Sequence, residues 1–351
     1  MNREAVIAGE FYRPVIHRLA VALTVAVFPL IWVGGLVTTY DAGMAVPDWP
    51  GTYGWNMFAY PASTWLFGPF DLLVEHSHRL LGALAGFLSI ALLIAAIRFE
   101  RRAWFRWWCV GVLLSVIAQG ALGGARVVLD QRTIAMIHGC TGPLFFALAT
   151  ATAVMSSRWW LSQQTETTRN ASGFEASRSP MTLAHPWMCR AAGLLVVASY
   201  VQLIIGAQLR HVTGALSHRE FMAFVHAHLT MAAVVLLLAS GLSLTAMLSS
   251  RLAGCVRLPA ELLFLLVVVQ IVLGIGTWIV NYALPWPEIN QTLAGYTILS
   301  KGYWESLVVT AHMATGSLIL SISTVVALRA WRWQRPAEPT AATQSQLGFS
   351  K

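Results

Sequence analysis

Eight stretches of the chain, at roughly 15–37, 72–97, 107–125, 133–155, 189–209, 220–248, 258–280 and 305–330, are apolar for close to the length a helix needs to cross a bilayer. A segment buried in hydrocarbon must satisfy its own backbone N–H and C=O groups, and a helix does so within a single segment. With 57% hydrophobic and only 11% charged residues, the chain has too little polar surface for a water-facing shell. The fold class predicted is an all-α integral membrane protein of eight transmembrane helices.

Lys and Arg are retained on the cytoplasmic side of a membrane. Placing the N-terminus inside puts 17 of the 23 basic residues in the cytoplasm and leaves Arg79, Arg126, Arg132, Arg210, Arg219 and Lys301 outside. Both termini are therefore expected in the cytoplasm. The net charge of +8 calls for no nucleic acid, because basic loops beside anionic lipid heads account for it. No cleavable signal or transit peptide is recognisable at the N-terminus, and a bacterial plasma membrane is the expected address. Cys109, Cys140, Cys189 and Cys255 form neither a C-x-x-C nor a C-x-x-C-H spacing, so neither a disulfide framework nor covalent haem attachment is indicated.

The stretch 156–188 is rich in Ser, Thr, Gln and Glu and reads as a cytoplasmic linker. It divides the chain into an N-terminal four-helix half, 1–155, and a C-terminal four-helix half, 189–335, followed by a cytoplasmic tail, 336–351. The halves resemble each other. Gln119-x-x-x-Gly123, Gln202-x-x-x-Gly206 and Gln270-x-x-x-Gly274 recur on the odd helices, with Leu30-x-x-x-Gly34 as a weaker copy, and His76-Ser77-His78 aligns with His226-Ala227-His228. Two tandem four-helix bundles related by a parallel pseudo-repeat are expected. A small residue in such a motif ordinarily lets helices approach while the amide finds an interhelical partner.

Each even helix carries a histidine followed four residues later by Gly or Ala: His78/Gly82, His138/Gly142, His228/Ala232 and His312/Gly316. All four are expected in the outer leaflet. Ionisable residues within a membrane usually face the bundle interior and mark function, and neutral imidazole is a common axial ligand of haem iron. Gly or Ala one turn away leaves room for the macrocycle. The natural pairs are His78 with His138 and His228 with His312, one six-coordinate haem in each half. His226 remains an alternative to His228, since residues two apart on a helix face opposite ways. Glu75 shares a face with His78 and is expected over the edge of the first haem, whereas the repeat has Val225 there. Glu75 could equally pair with Arg79 across one turn.

Glu75-His76-Ser77-His78-Arg79 resembles the E-x-x-H-R signature of the haem A synthase family, and His138, His228 and His312 fall on that family's other ligand helices. The segment Gly43 to Pro50, with Thr52-Tyr53-Gly54, is similar to the family's first periplasmic loop. The resemblance implies oxidation of the C8 methyl of haem O to a formyl by successive hydroxylation, giving haem A for terminal oxidases. By that analogy His78, His138 and a catalytic Glu75 serve the substrate haem, while His228 and His312 hold a haem B cofactor. Haem O synthase and oxidase assembly factors are the partners implied, and a homo-oligomer is compatible with the sequence. Many members carry a cysteine pair in the first loop; residues 38–71 contain none, so a thiol role there is unsupported.

Arg79, Arg126 and Arg210 are candidate contacts for haem propionates, because a guanidinium suits a carboxylate; His211 lies beside them in sequence. The aromatic loops 38–71 and 281–304 read either as interfacial anchors or as a lid over the haem O tail. The competing reading is a dihaem b-type cytochrome exchanging electrons with quinol. It would want its haems spread across the bilayer, whereas all four histidines lie toward one side. A haem transporter would want broken helices near the midplane, and none is evident.

Overall fold

The computed structural model describes residues 12–162, 186–210, 217–248, 254–282 and 302–334. Among these, eight long helices follow one another: α1 (Pro14–Thr39), α2 (Phe70–Phe99), α3 (Ala103–Leu129), α4 (Arg132–Met155), α5 (Pro186–Arg210), α6 (His218–Leu248), α7 (Gly254–Tyr282) and α8 (Tyr303–Gln334). Each contains a window long and apolar enough to cross a membrane. The chain is an all-helical multi-pass membrane protein. A 3-10 turn at Ala42–Met44 and a short helix at Ala62–Leu66 sit in the segment joining α1 to α2. Most of the proposed linker, the tail, His211 and Trp286 lie outside the described residues.

The helices outrun the apolar stretches because their ends stand clear of hydrocarbon. α2, for example, has 30 residues and is about 45 Å long at 1.5 Å per residue, against a hydrocarbon thickness of about 30 Å. Its lower end is fixed by charge: Arg102 pairs with Glu100 at 2.9 Å and donates to the Met155 carbonyl at 3.0 Å. This is the arginine-rich end, and the opposite end, carrying residues 40–69, is the loop end.

α1 packs on α2 and α4, and α3 bridges α2 and α4; α5 packs on α6 and α8, with α7 between those two. Ile16, Ala20, Leu23 and Val27 repeat at helical spacing and meet Ala85 and Leu92 of α2, Phe105 and Cys109 of α3, and Phe146 and Ala149 of α4 in one buried cluster. A second cluster joins Leu195, Ala239, Leu242, Leu263 and Ile319 from α5 to α8. α8 faces both, since Leu318 and Val325 pack on the first cluster and Ile319 and Val326 belong to the second. Polar contacts tie α8 to the first four helices: Thr150 to Ser321 at 2.6 Å and Thr39 to Thr310 at 3.3 Å. Buried hydroxyls that find such partners avoid the cost of lying unbonded in an apolar interior.

Candidate functional site

The structure brings the four histidines together in two pairs. The rings of His78 and His138 have centroids 6.2 Å apart, and those of His228 and His312 lie 6.4 Å apart. His226 instead bonds its own helix, at the Met222 carbonyl, and faces out, so His228 is the one facing His312. His76 likewise turns away from the first pair, toward Thr52 at 3.2 Å and the rings of Tyr60 and Trp65. Counted from the arginine-rich ends of their helices, the paired residues lie 17 to 22 positions up. That is about 25–33 Å, so all four lie toward the loop end of their helices.

The recurring Leu/Gln-x-x-x-Gly motif has a role its composition did not reveal. A Cβ built on Gly34 would lie 2.7 Å from His78 Cε1, one on Gly123 3.4 Å from His138 Cε1, one on Gly206 3.1 Å from His228 Cε1, and one on Gly274 3.0 Å from His312 Cε1. Each glycine is the seat of one imidazole on the neighbouring helix. The residue a turn earlier supplies an orienting group: the Leu30 carbonyl accepts from His78 Nδ1 at 3.2 Å, and the Gln119 and Gln270 carbonyls approach His138 and His312. Because a carbonyl can only accept, His78 carries its proton on Nδ1 and presents the Nε2 lone pair. This is how a backbone carbonyl fixes the tautomer of a metal-ligating histidine.

The donor set fits haem on three counts. First, a metal–imidazole bond is about 2 Å, so two opposed imidazoles on one metal put their ring centres about 6 Å apart, close to both observed spacings. Second, the two rings of each pair come from different helices, α2 and α4 or α6 and α8, and each is backed by a glycine of a further helix, so that they oppose one another across a gap. Third, no group of three or more His, Cys, Asp or Glu converges among the described residues; paired imidazoles suit a metal whose other ligands come from a macrocycle. Gly82 and Gly142 face open space, as room for that macrocycle requires, whereas Gly316 abuts Leu203 and Gln270. At the second pair, Gln202 donates its amide to His228 Nε2 at 3.2 Å, and ligation through that nitrogen requires Gln202 to turn aside.

Glu75 is 3% exposed and has both oxygens engaged: Oε1 takes Arg79 Nη2 at 2.9 Å and Oε2 takes the Val46 N–H at 2.9 Å. The Glu75–Arg79 pairing thus exists, buried rather than on the surface. Arg79 also donates to the carbonyls of Asp48, Gly51 and Val46 at 2.6, 2.8 and 2.8 Å. Arg126 donates to the Gly43 carbonyl, and Arg210 to the Gly35 carbonyl and the Thr39 hydroxyl. Nothing in the sequence marks these contacts, because the partners of the three arginines are mostly backbone oxygens.

Asp48 holds the turn above Arg79 by accepting from the Tyr53 and Gly54 N–H groups at 2.7 and 2.9 Å. Gly54, at φ +77°, occupies the left-handed region this turn requires. Partial burial pushes the Asp48 carboxyl upward, but the two N–H bonds and the Arg79 charge outweigh it and hold its pKa below the ordinary value. A depressed carboxyl stabilises the fold above its unfolded pKa, and the contribution fades as pH falls through the folded value. Protease nicking of residues 46–54 is therefore expected to rise only below about pH 4, and Asp48→Ala to give the same susceptibility at neutral pH. An Asp48→Ala loop as resistant as the native one would contradict this.

Residues 17–300 match the family described as COX15-CtaA, cytochrome oxidase assembly protein. No curated protein matches the chain.

Proposed function

From the premise that this chain belongs to the COX15-CtaA family of cytochrome oxidase assembly proteins, we propose that it is a haem A synthase, oxidising the C8 methyl of haem O to a formyl by successive hydroxylation. The observation that carries the reading is the pair of facing imidazole couples, 6.2 and 6.4 Å apart, each ring seated on a glycine. His78 and His138 would hold the substrate haem O, and His228 and His312 a haem B. Haem B supplies one-electron redox chemistry when bound.

The chain's own residues make the two sites unequal. Glu75 lies three residues before His78, on the same helix face, and its carboxylate is fixed between Arg79 and the Val46 N–H. A carboxylate held in this way stabilises positive charge developing beside it, with proton transfer requiring release of one of its two partners. Val225, at the matching place in the second half, offers neither. Arg126 and Arg210 lie at the loop end of their helices, where their guanidinium groups can meet propionates. The first loop, clamped by Arg79, covers the first pair's end of α2. Upstream supply of haem O and downstream delivery to an oxidase would require a haem O synthase and assembly factors as partners.

Pigment analysis of the purified protein tests this. Haem B together with haem O, or its hydroxylated or formyl derivatives, is expected. Haem B alone, unchanged after aerobic incubation with haem O and a reductant, would mark an electron-transferring cytochrome instead.

A further inference from the structure

Between Asp48 and Asp71 no charged residue occurs at any of 22 positions, although this segment joins two helices on the water side of the membrane. Its path explains why. Val46 reaches Glu75, and Asp48 and Gly51 reach Arg79 one turn further along α2. Phe58 then meets the ring of Phe87, two turns further still, at 5.8 Å. The chain returns through Tyr60 and Trp65, which lie on His76. The segment is a hairpin folded down the flank of α2, with Phe58 near its tip.

Phe87 lies 12 residues from Phe99, where α2 ends. That is about 18 Å along a helix about 45 Å long, so Phe87 lies near its middle and inside a hydrocarbon layer of about 30 Å with both helix ends clear of it. Phe87 is 57% exposed and in line with exposed Ile90, Ile94 and Ile97, the lipid-facing stripe of α2; Phe58, 58% exposed and lying on Phe87, continues that stripe, and Trp55 beside it in sequence is 53% exposed. Backbone at this depth must satisfy its own polar groups. At the tip, the Phe58 N–H bonds Asn56 Oδ1 at 3.0 Å and the Ala59 N–H bonds the Asn56 carbonyl at 2.9 Å.

We propose that the tip of this hairpin, Trp55 to Phe58, is a membrane wedge inserted among the acyl chains of the leaflet at the loop end. The interaction surface is apolar and uncharged, and its partner is lipid hydrocarbon rather than another protein. Insertion presses the preceding segment, Val46 to Thr52, onto Glu75, His76 and Arg79. The bilayer thus helps to hold the lid of the first imidazole pair in place. The inference stands on the packing of the hairpin and is independent of the reaction proposed above.

Spin labels attached at Phe58→Cys and, separately, at Trp55→Cys test it in phosphatidylcholine nanodiscs, with the native cysteines replaced by alanine. Ile94→Cys on the lipid-facing stripe and Gln131→Cys in the exposed α3–α4 turn serve as references. Collision rates with oxygen, which partitions into hydrocarbon, should exceed those with a water-soluble nickel chelate severalfold at residue 58, as at Ile94. Residue 55 should fall between Ile94 and Gln131. Should Phe58→Cys not fold, the label at residue 55 decides. Chelate-dominated collisions matching Gln131 at every position that can be labelled would overturn the wedge.

Discussion

Gly34→Ala is expected to empty the first haem site while leaving the second loaded. A single added methyl carbon would stand 2.7 Å from His78 Cε1 and 3.1 Å from Nδ1, and the ring has little freedom to retreat because Nδ1 is tied to the Leu30 carbonyl. Moving it breaks that bond and turns Nε2 away from His138. Disturbing the partner that orients a ligating histidine typically costs about 10–100-fold in metal affinity, and displacing the ring itself costs at least that. The four seats are graded: Gly274→Ala at 3.0 Å and Gly206→Ala at 3.1 Å should weaken the second site, whereas Gly123→Ala at 3.4 Å should be tolerated and Gly123→Leu should not. Haem titration of each purified variant, alongside its melting temperature, reads the effect. Normal haem affinity at both sites in Gly34→Ala, with the fold intact, would show that the glycines only space the helices.

Arg79→Leu should be the most destabilising single change among the polar residues at the loop end. It removes four hydrogen bonds to Glu75, Val46, Asp48 and Gly51 and leaves a buried carboxylate without its cation. Removing one member of a buried pair generally costs about 3–5 kcal/mol, much of it from the charge left behind. The double variant Arg79→Leu/Glu75→Leu should therefore be more stable than Arg79→Leu alone, a coupling that a double-mutant cycle isolates. Thermal unfolding followed by tryptophan fluorescence measures it. A loss within about 1 kcal/mol would instead place the pair among ordinary surface ion pairs.

The fold was largely legible because hydrocarbon imposes a simple rule on sequence. The apolar run 72–97 became Phe70–Phe99, and 107–125 became Ala103–Leu129, which extends past Arg106 and Arg126 because helix continues into the polar zone where composition stops marking it. The paired histidines were legible too, as one polar residue at a matching place on each even helix. The glycines of the odd helices were read only as spacers, since a small residue looks the same whether it admits a helix or an imidazole. Gly316, expected to leave space beside His312, is filled by Leu203 and Gln270. The clamp of Arg79 on the first loop left no trace in sequence, because it is built on the carbonyls of Val46, Asp48 and Gly51, which every residue type possesses. The same holds for Arg126 on Gly43 and Arg210 on Gly35.

Haem stoichiometry in ligand variants bears most directly on the central claim, that each facing imidazole couple holds one haem. Protein purified from haem-replete cells should carry two haems per chain, His138→Ala and His312→Ala one each, and the double variant none, with helix content unchanged throughout. Two haems retained in the folded double variant would contradict the claim.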